Sequence, residues 1–326
     1  PPLYKLEKNK KVWYAYSDEE LNNIKEQLNK ILIGKEDKIV LILTALLARG
    51  HILLEDVPGV GKTTLANGLA RSIDAAYGRI QFTPDTLPSD ITGISIYRSH
   101  TATFEYLPGP IMHNILLADE INRATPRTQS ALLECMEERQ ITEGGVTYIL
   151  EEPFLVIATQ NPVDTQGTFP LPEAQLDRFL MKLSLGYPTH EEAVTMMERF
   201  IRSQPLASIE PVAQAEEVRE AAVLCRNCSV SADIMGYMVS LCEAARNPEK
   251  VRLGPSPRAL LALMRSCQAL AAIRGRDYVI PDDVKALAVP VLAHRILLRG
   301  ISYQATGETF VQGLLKEVPA PTENRV

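Results

Sequence analysis

No apolar run in this sequence is long enough to cross a bilayer. The longest, IVLILTALLA at residues 39–48, stops at Arg49-Gly50-His51, whereas a membrane-spanning helix needs about 20 apolar residues. The opening stretch PPLYKLEKNKK has no apolar segment of the kind a secretory signal carries. Positive charge is not in excess. The 34 Lys and Arg stand against 40 Asp and Glu, for a formal net charge of −6, so no bulk attraction draws the chain to nucleic acid or an anionic membrane. Cysteine is scarce and odd in number, five residues in 326, which fits a reducing compartment and a cytoplasmic location. Cys225 and Cys228 form a lone C-x-x-C with no second ligand pair behind it, and the five His are scattered. Small buried side chains are therefore expected at the cysteines rather than a metal site. No long-period repeat is present.

What is present is a globular composition, 46% hydrophobic and 23% charged, in a length that suits one large domain or two ordinary ones. Residues 1–16 are basic and aromatic without periodicity. Ser17 to Glu20 reads as a capping box opening a helix with Leu21, Ile24 and Leu28 on one face. Gly34 breaks that helix, and a second apolar helix follows to about Ala48. Strands are expected at 51–55, 79–83, 115–120, 154–159 and 181–187, alternating with helices from Thr63, from Thr125-Pro126 and over 172–179. Two β-like runs, ITGISIY and TFEYL, lie between residues 90 and 108, and a hairpin signal surrounds Gly144-Gly145. After Pro188 the pattern is helical only, to about Arg299, and residues 300–326 are weakly patterned, the last eight reading as a loose tail. The chain thus divides into an N-terminal extension (1–16), an α/β domain (17–187), a helical domain (188–300) and a C-terminal segment (301–326).

The chemistry begins in ILLEDVPGVGKTTLA, residues 52–66. A phosphate-binding loop reads G-x-x-x-x-G-K-[ST], and here Gly61-Lys62-Thr63 fit while the first glycine is replaced by Asp56. Such a loop works because backbone N–H groups converge on phosphates at a helix N-terminus. Pro58, Gly59, Val60 and Gly61 shape it, Lys62 reaches the outer phosphates, and Thr63, followed by Thr64, offers a hydroxyl to Mg²⁺. An Asp at the entry is compatible if its carboxylate turns outward. The competing reading is a Gly-rich strand-to-helix turn with no ligand. Two features favour the phosphate loop. ILLADE, residues 115–120, is an apolar strand ending in Asp119 and Glu120, which suit a Mg²⁺ shell and the polarising of an attacking water. Asn161 follows the strand FLVIATQ and can orient water against a γ-phosphate.

Three blocks, EDVPGVGKT, ADEINRATPRTQSALLECMEE and ATQNPVDTQGTFPLPEAQLDRF, together resemble the MoxR family of AAA+ ATPases over roughly residues 20–300. The resemblance implies a P-loop NTPase domain with a parallel five-stranded sheet followed by an all-α lid. It makes Lys62 and Thr63 the Walker A residues, Asp119 and Glu120 Walker B, and Asn161 sensor 1. It makes Arg178 an arginine finger acting on a neighbouring subunit's nucleotide, Arg258 sensor 2, and Arg123 a further candidate for a trans-acting arginine. Ile33-Gly34 resembles the family's adenine-contacting segment. The runs at 90–108 match the family's insert in its second helix, and the hairpin at 144–145 the one before sensor 1.

The implied protein is an ATP- and Mg²⁺-dependent ring, a hexamer. It would remodel client proteins with a partner carrying a von Willebrand factor A domain, without nucleic acid or membrane insertion. Three other readings stand beside it. A magnesium-chelatase-like subunit would be told apart by its operon neighbours. A nucleotide-switched scaffold has no need of Glu120, Asn161 and Arg178 together. A DNA motor would show salt-dependent DNA binding, although the two inserts, with Arg98 and His100 in the first, are not strongly basic.

Overall fold

The computed structural model describes residues 21–162, 167–202, 204–299 and 306–322. The basic aromatic stretch 1–16 and the capping box at 17–20 lie outside them, as do the last four residues of the expected tail. In chain order the α/β part comprises α1 (21–31), α2 (Glu36–Leu47), β1 (Ile52–Glu55), α3 (Lys62–Ser72), β2 (Tyr77–Gln81), α4 (Pro88–Thr92), β3 (Gly93–Arg98), β4 (Thr103–Pro108) and β5 (Ile115–Asp119). It continues with α5 (Pro126–Glu138), β6 (Gln140–Glu143), β7 (Val146–Ile149), β8 (Leu155–Gln160), α6 (Glu173–Leu176) and β9 (Met181–Leu183). The helical region follows as α7 (His190–Arg202), α8 (Ala215–Cys225), α9 (Ala232–Ala244), β10 (Val251–Leu253), α10 (Pro257–Ile273), α11 (Pro281–Leu292), β11 (Leu297–Leu298) and α12 (Gly307–Glu317).

Five strands form one parallel sheet in the order β2-β5-β8-β1-β9. Helices cover both faces, so the inner strands read as unbroken apolar runs rather than alternating ones. Their alternation is in which core they feed. Ile52 and Leu54, Ile115 and Leu117, and Leu155 and Ile157 join the core under α1, α2 and α3. Leu53, Leu116, Ala118, Val156 and Ala158 join the opposite core, with Ile91 of α4 and Leu132 and Leu133 of α5. The first core does not stop at the sheet. It continues through Ile39, Ile42 and Leu46 of α2 into Leu263 and Leu270 of α10 and Leu287 of α11.

The strand order makes β1 the switch point. Its chain leaves over β8 and β5 to the edge strand β2, while β9 pairs on its other side. In open parallel sheets a ligand crevice forms beyond the C-terminal strand ends at such a point. The loop after β1, Asp119-Glu120 after β5 and Asn161 after β8 all sit at that edge.

Three expectations are corrected. The fifth strand stops at Leu183 rather than at Tyr187, because the backbone beyond it bonds to a side chain instead of a neighbouring strand, as described below. The region after Pro188 is not helical throughout, since β10 and β11 form a small antiparallel ribbon. The weakly patterned end holds α12, whose Thr306 caps it and whose Val311 and Leu314 are buried in the common core. The five cysteines are all buried and free. Cys225 ends α8, and Cys228 lies just beyond it.

Candidate functional site

β1 ends at Glu55 and the loop from Asp56 to Gly61 turns into α3. Gly59 (φ 87°) and Gly61 (φ 96°) hold left-handed backbone, which L side chains resist. A Cβ on Gly59 would meet nothing, so the loop leaves room in front of it. No side chain caps α3, and its N-terminal N–H groups and positive dipole end remain for an anion. A cavity of about 430 Å³ opens there, lined by Pro58, Gly59, Gly61, Lys62, Thr63, Thr64, Arg79, Gln81, Asp119, Glu120 and Asn161.

Asp56 stands at the mouth of the loop, yet its carboxylate does not face it. The residue is only 6% exposed. Its Oδ1 accepts from the Ser184 hydroxyl at 2.7 Å and the Gly186 N–H at 3.1 Å, and its Oδ2 accepts from the Leu185 N–H at 2.8 Å. The carboxylate is therefore turned inward, not outward as the sequence suggested, and holds the segment after β9. Its backbone carbonyl faces the other way and accepts Lys62 Nζ at 2.8 Å. Burial pushes the Lys62 pKa down, while Asp56, Asp119 and Glu120 pull it back up.

Both carboxylates after β5 are already engaged. Asp119 Oδ1 accepts from the Thr159 hydroxyl at 2.6 Å and Oδ2 from Arg79 at 2.8 Å. Glu120 accepts from Gln81 at 2.9 Å and pairs with Arg123 at 3.0 Å. The Glu120 backbone is left-handed (φ 58°), a conformation that costs a non-glycine residue energy and persists when neighbours hold it. Here Thr159 holds it, because its hydroxyl oxygen also accepts from the Glu120 N–H at 2.9 Å. Thr159, Arg79 and Gln81 were missed from sequence. The available signal was a fully buried hydroxyl inside an apolar strand, and two polar side chains on the strand beside Asp119.

The remaining candidates separate into two groups. Ile33, Gly34 and Val60 do not line this cavity, although Leu32 approaches within 3.4 Å of where a Gly61 Cβ would stand. Gly34 (φ 68°) lies where a Cβ would overlap the Glu192 carboxylate, which itself pairs with Lys35 at 3.6 Å. Arg178 and Arg258 line a different cavity altogether. Both grip Glu137 of α5, Arg178 at 3.2 Å and Arg258 at 2.5 Å. Asp177 fixes them: its carboxylate accepts from Arg295 at 2.6 Å and from Ser256, the N-cap of α10, at 3.0 Å. Arg295 is buried (6% exposed) and also donates to the carbonyls of Asp177 and Phe179. Arg295 was not found from sequence, where an Arg after α11 gives no sign of burial.

Comparison with known proteins gives a consistent result. The ATPase family associated with various cellular activities (AAA) matches residues 51–181, and the AAA lid domain family matches residues 243–313. YeaC of Bacillus subtilis, itself uncharacterized, is 49% identical over 91% of this chain and 94% of its own length. Chaperone MoxR1 of Mycobacterium tuberculosis is 40% identical over 92% of this chain and 82% of its own. Protein MoxR of Paracoccus denitrificans is 33% identical over 95% and 96%. A crystal structure of a candidate ATPase from Cytophaga hutchinsonii superposes with a TM-score of 0.89 at 37% identity, over 97% of this chain and 99% of that one.

Proposed function

The chain belongs to the MoxR family of AAA+ ATPases, and from that premise we propose that it hydrolyses ATP in a ring of like subunits, a hexamer, to remodel client proteins in the cytoplasm. The observation that carries the reading is a division of labour. Lys62, Thr63, Asp119, Glu120 and Asn161 share one cavity, while Arg178 and Arg258 share another. A chain that keeps its phosphate-loop lysine and its charge-stabilising arginines in different cavities completes its chemistry between subunits. Head-to-tail contacts of that kind close into rings.

The residues fit a magnesium nucleotide. Thr63 and Asp119 bring oxygen donors, the ligands that Mg²⁺ takes, to the cavity that also holds Lys62. These two would hold the ion, which when bound neutralises charge on the phosphates. Lys62 leaves the Asp56 carbonyl for the outer phosphates. Glu120, released from Gln81 and Arg123, takes the proton of the attacking water, and Asn161 orients that water. Arg178 of one subunit meets the γ-phosphate bound in the next, where a guanidinium fork suits spreading negative charge. Arg258, held beside it by Glu137, acts as sensor 2. Ile33 and Gly34, in the turn after α1, contact the adenine.

Client contact falls to the two hairpins. The Tyr106 and Tyr148 rings stack at 4.3 Å across them, and Tyr97, Phe104 and Ile149 are exposed on the pair. A partner with a von Willebrand factor A domain would deliver clients to that face. The test is ATP turnover per chain against protein concentration. Turnover per chain should rise and level off, and Arg178→Ala should bind ATP while losing at least tenfold in rate. Turnover independent of concentration, or undiminished in Arg178→Ala, would reject the shared site.

A further inference from the structure

The cavity that carries Arg178 and Arg258 on its wall encloses about 560 Å³, within the range of small-molecule sites. It lies between the sheet end where β1 begins and the helical region, opposite the phosphate loop. Seven of its seventeen lining residues are arginine, in a chain of net charge −6. Three carboxylates answer them. Asp177 is engaged by Arg295, Glu137 is shared by Arg178 and Arg258, and Glu152 is shared by Arg49 and Arg139. Seven guanidiniums against three carboxylates leave an excess of four positive charges.

The excess falls on Arg226, Arg265 and Arg49. Arg226, just past α8, and Arg265, on α10, have no carboxylate within ion-pair distance among the described residues. Arg49 Nε is buried with no acceptor among them. These groups act on one another. After burial, the charges of Arg226 and Arg265 push the Arg49 pKa down, and those of Arg49 and Arg226 help push Arg139 down to about 10. His51, also on the wall, adds no charge, since burial and Arg139 push its pKa down to about 3. Clustered like charges destabilise a fold unless an opposite charge joins them.

We infer that this cavity is a second anion site, separate from the phosphate loop, that takes a small phosphate-bearing ligand of the pyrophosphate class. Arg49 and Arg139 grip it from the sheet side, and Arg226 and Arg265 from the helical side. Guanidinium forks match phosphate oxygens two bonds at a time, and a ligand carrying several negative charges answers an excess of four. Bound there, it ties the helical region to the sheet.

The test is calorimetric titration of inorganic pyrophosphate, without magnesium, into Lys62→Ala protein, whose phosphate loop has lost its lysine. We expect one pyrophosphate per chain, with affinity lowered at least tenfold when Arg226→Ala and Arg265→Ala are added. Both side chains are exposed, so the added substitutions should not lower the melting temperature, and relief of repulsion should raise it. Three outcomes would overturn the site. They are no binding to the Lys62→Ala protein, equal affinity with and without the two arginines, or binding only at concentrations where light scattering shows self-association. The last would assign the phosphate to a neighbour's nucleotide.

Discussion

At position 56 the phosphate-loop pattern asks for glycine, and the fold has a carboxylate with three hydrogen bonds to accept. Asp56 belongs to the architecture around the loop rather than to the phosphate cradle. Restoring the pattern with Asp56→Gly should therefore leave ATP affinity unchanged. It strands the Leu185 and Gly186 N–H groups, at a cost of about 3 kcal/mol and a fall of about 5 °C in melting temperature. Paired titration and thermal melts would show this, and tighter ATP binding without loss of stability would contradict it. That Lys62, Thr63, Asp119, Glu120 and Asn161 converge on one cavity was legible from sequence, because each lies at or just past the end of a buried strand, at the one edge where such strands end together. Thr159, Arg79 and Arg295 were not, because their roles come from partners 40 or more residues away. No local spacing encodes those pairings.

Elements were legible where burial repeats along the chain. β1, β5 and β8 are apolar runs between turn signals, and their strand nature follows from being covered on both faces. β9 was overdrawn because LSLGY continues the apolar pattern, while the Asp56 carboxylate takes the N–H groups that a ladder would need. β10 and β11 are three and two residues long, too short to leave a period. α12 owes its place to Val311 and Leu314 docking on the common core, a tertiary gain that its own sequence does not advertise. The hairpin around Gly144-Gly145 and the two β-like runs before it were legible singly, but not the pairing of those runs into a hairpin or the contact between the two hairpins. Tyr106 and Tyr148 stack, and the Ser95 N–H donates to Glu143 at 3.3 Å. An aromatic stack contributes about 1 kcal/mol. Tyr148→Ala should therefore raise tryptic cleavage after Arg98 by about three- to tenfold while leaving global unfolding unchanged. An unchanged cleavage rate would mean that the hairpins hold themselves.

For the whole molecule, the decisive feature is that one chain carries Lys62 and Arg178 in different cavities, which the proposed function takes as two halves of a reaction centre. The loop edge gathers Lys62, Thr63, Asp119, Glu120 and Asn161 around one cavity. The opposite edge of the sheet presents Arg178 and Arg258, fixed through Glu137, Asp177 and Arg295 to the helices packed below. Nothing in the linear order of motifs separates these halves, since LDRF follows Asn161 by fewer than twenty residues. The separation appears only once β9 is laid beside β1 and the helical region is docked on α2. The most direct measurement of this division is the ATPase rate of a one-to-one mixture of Lys62→Ala and Arg178→Ala proteins. Each alone should be nearly inactive. Random mixed rings place an intact phosphate loop against an intact arginine at about a quarter of their interfaces, so the mixture should recover up to about a quarter of the wild-type rate. A mixture as inactive as its two components, although mass measurement shows that they assemble together, would contradict a site completed between subunits.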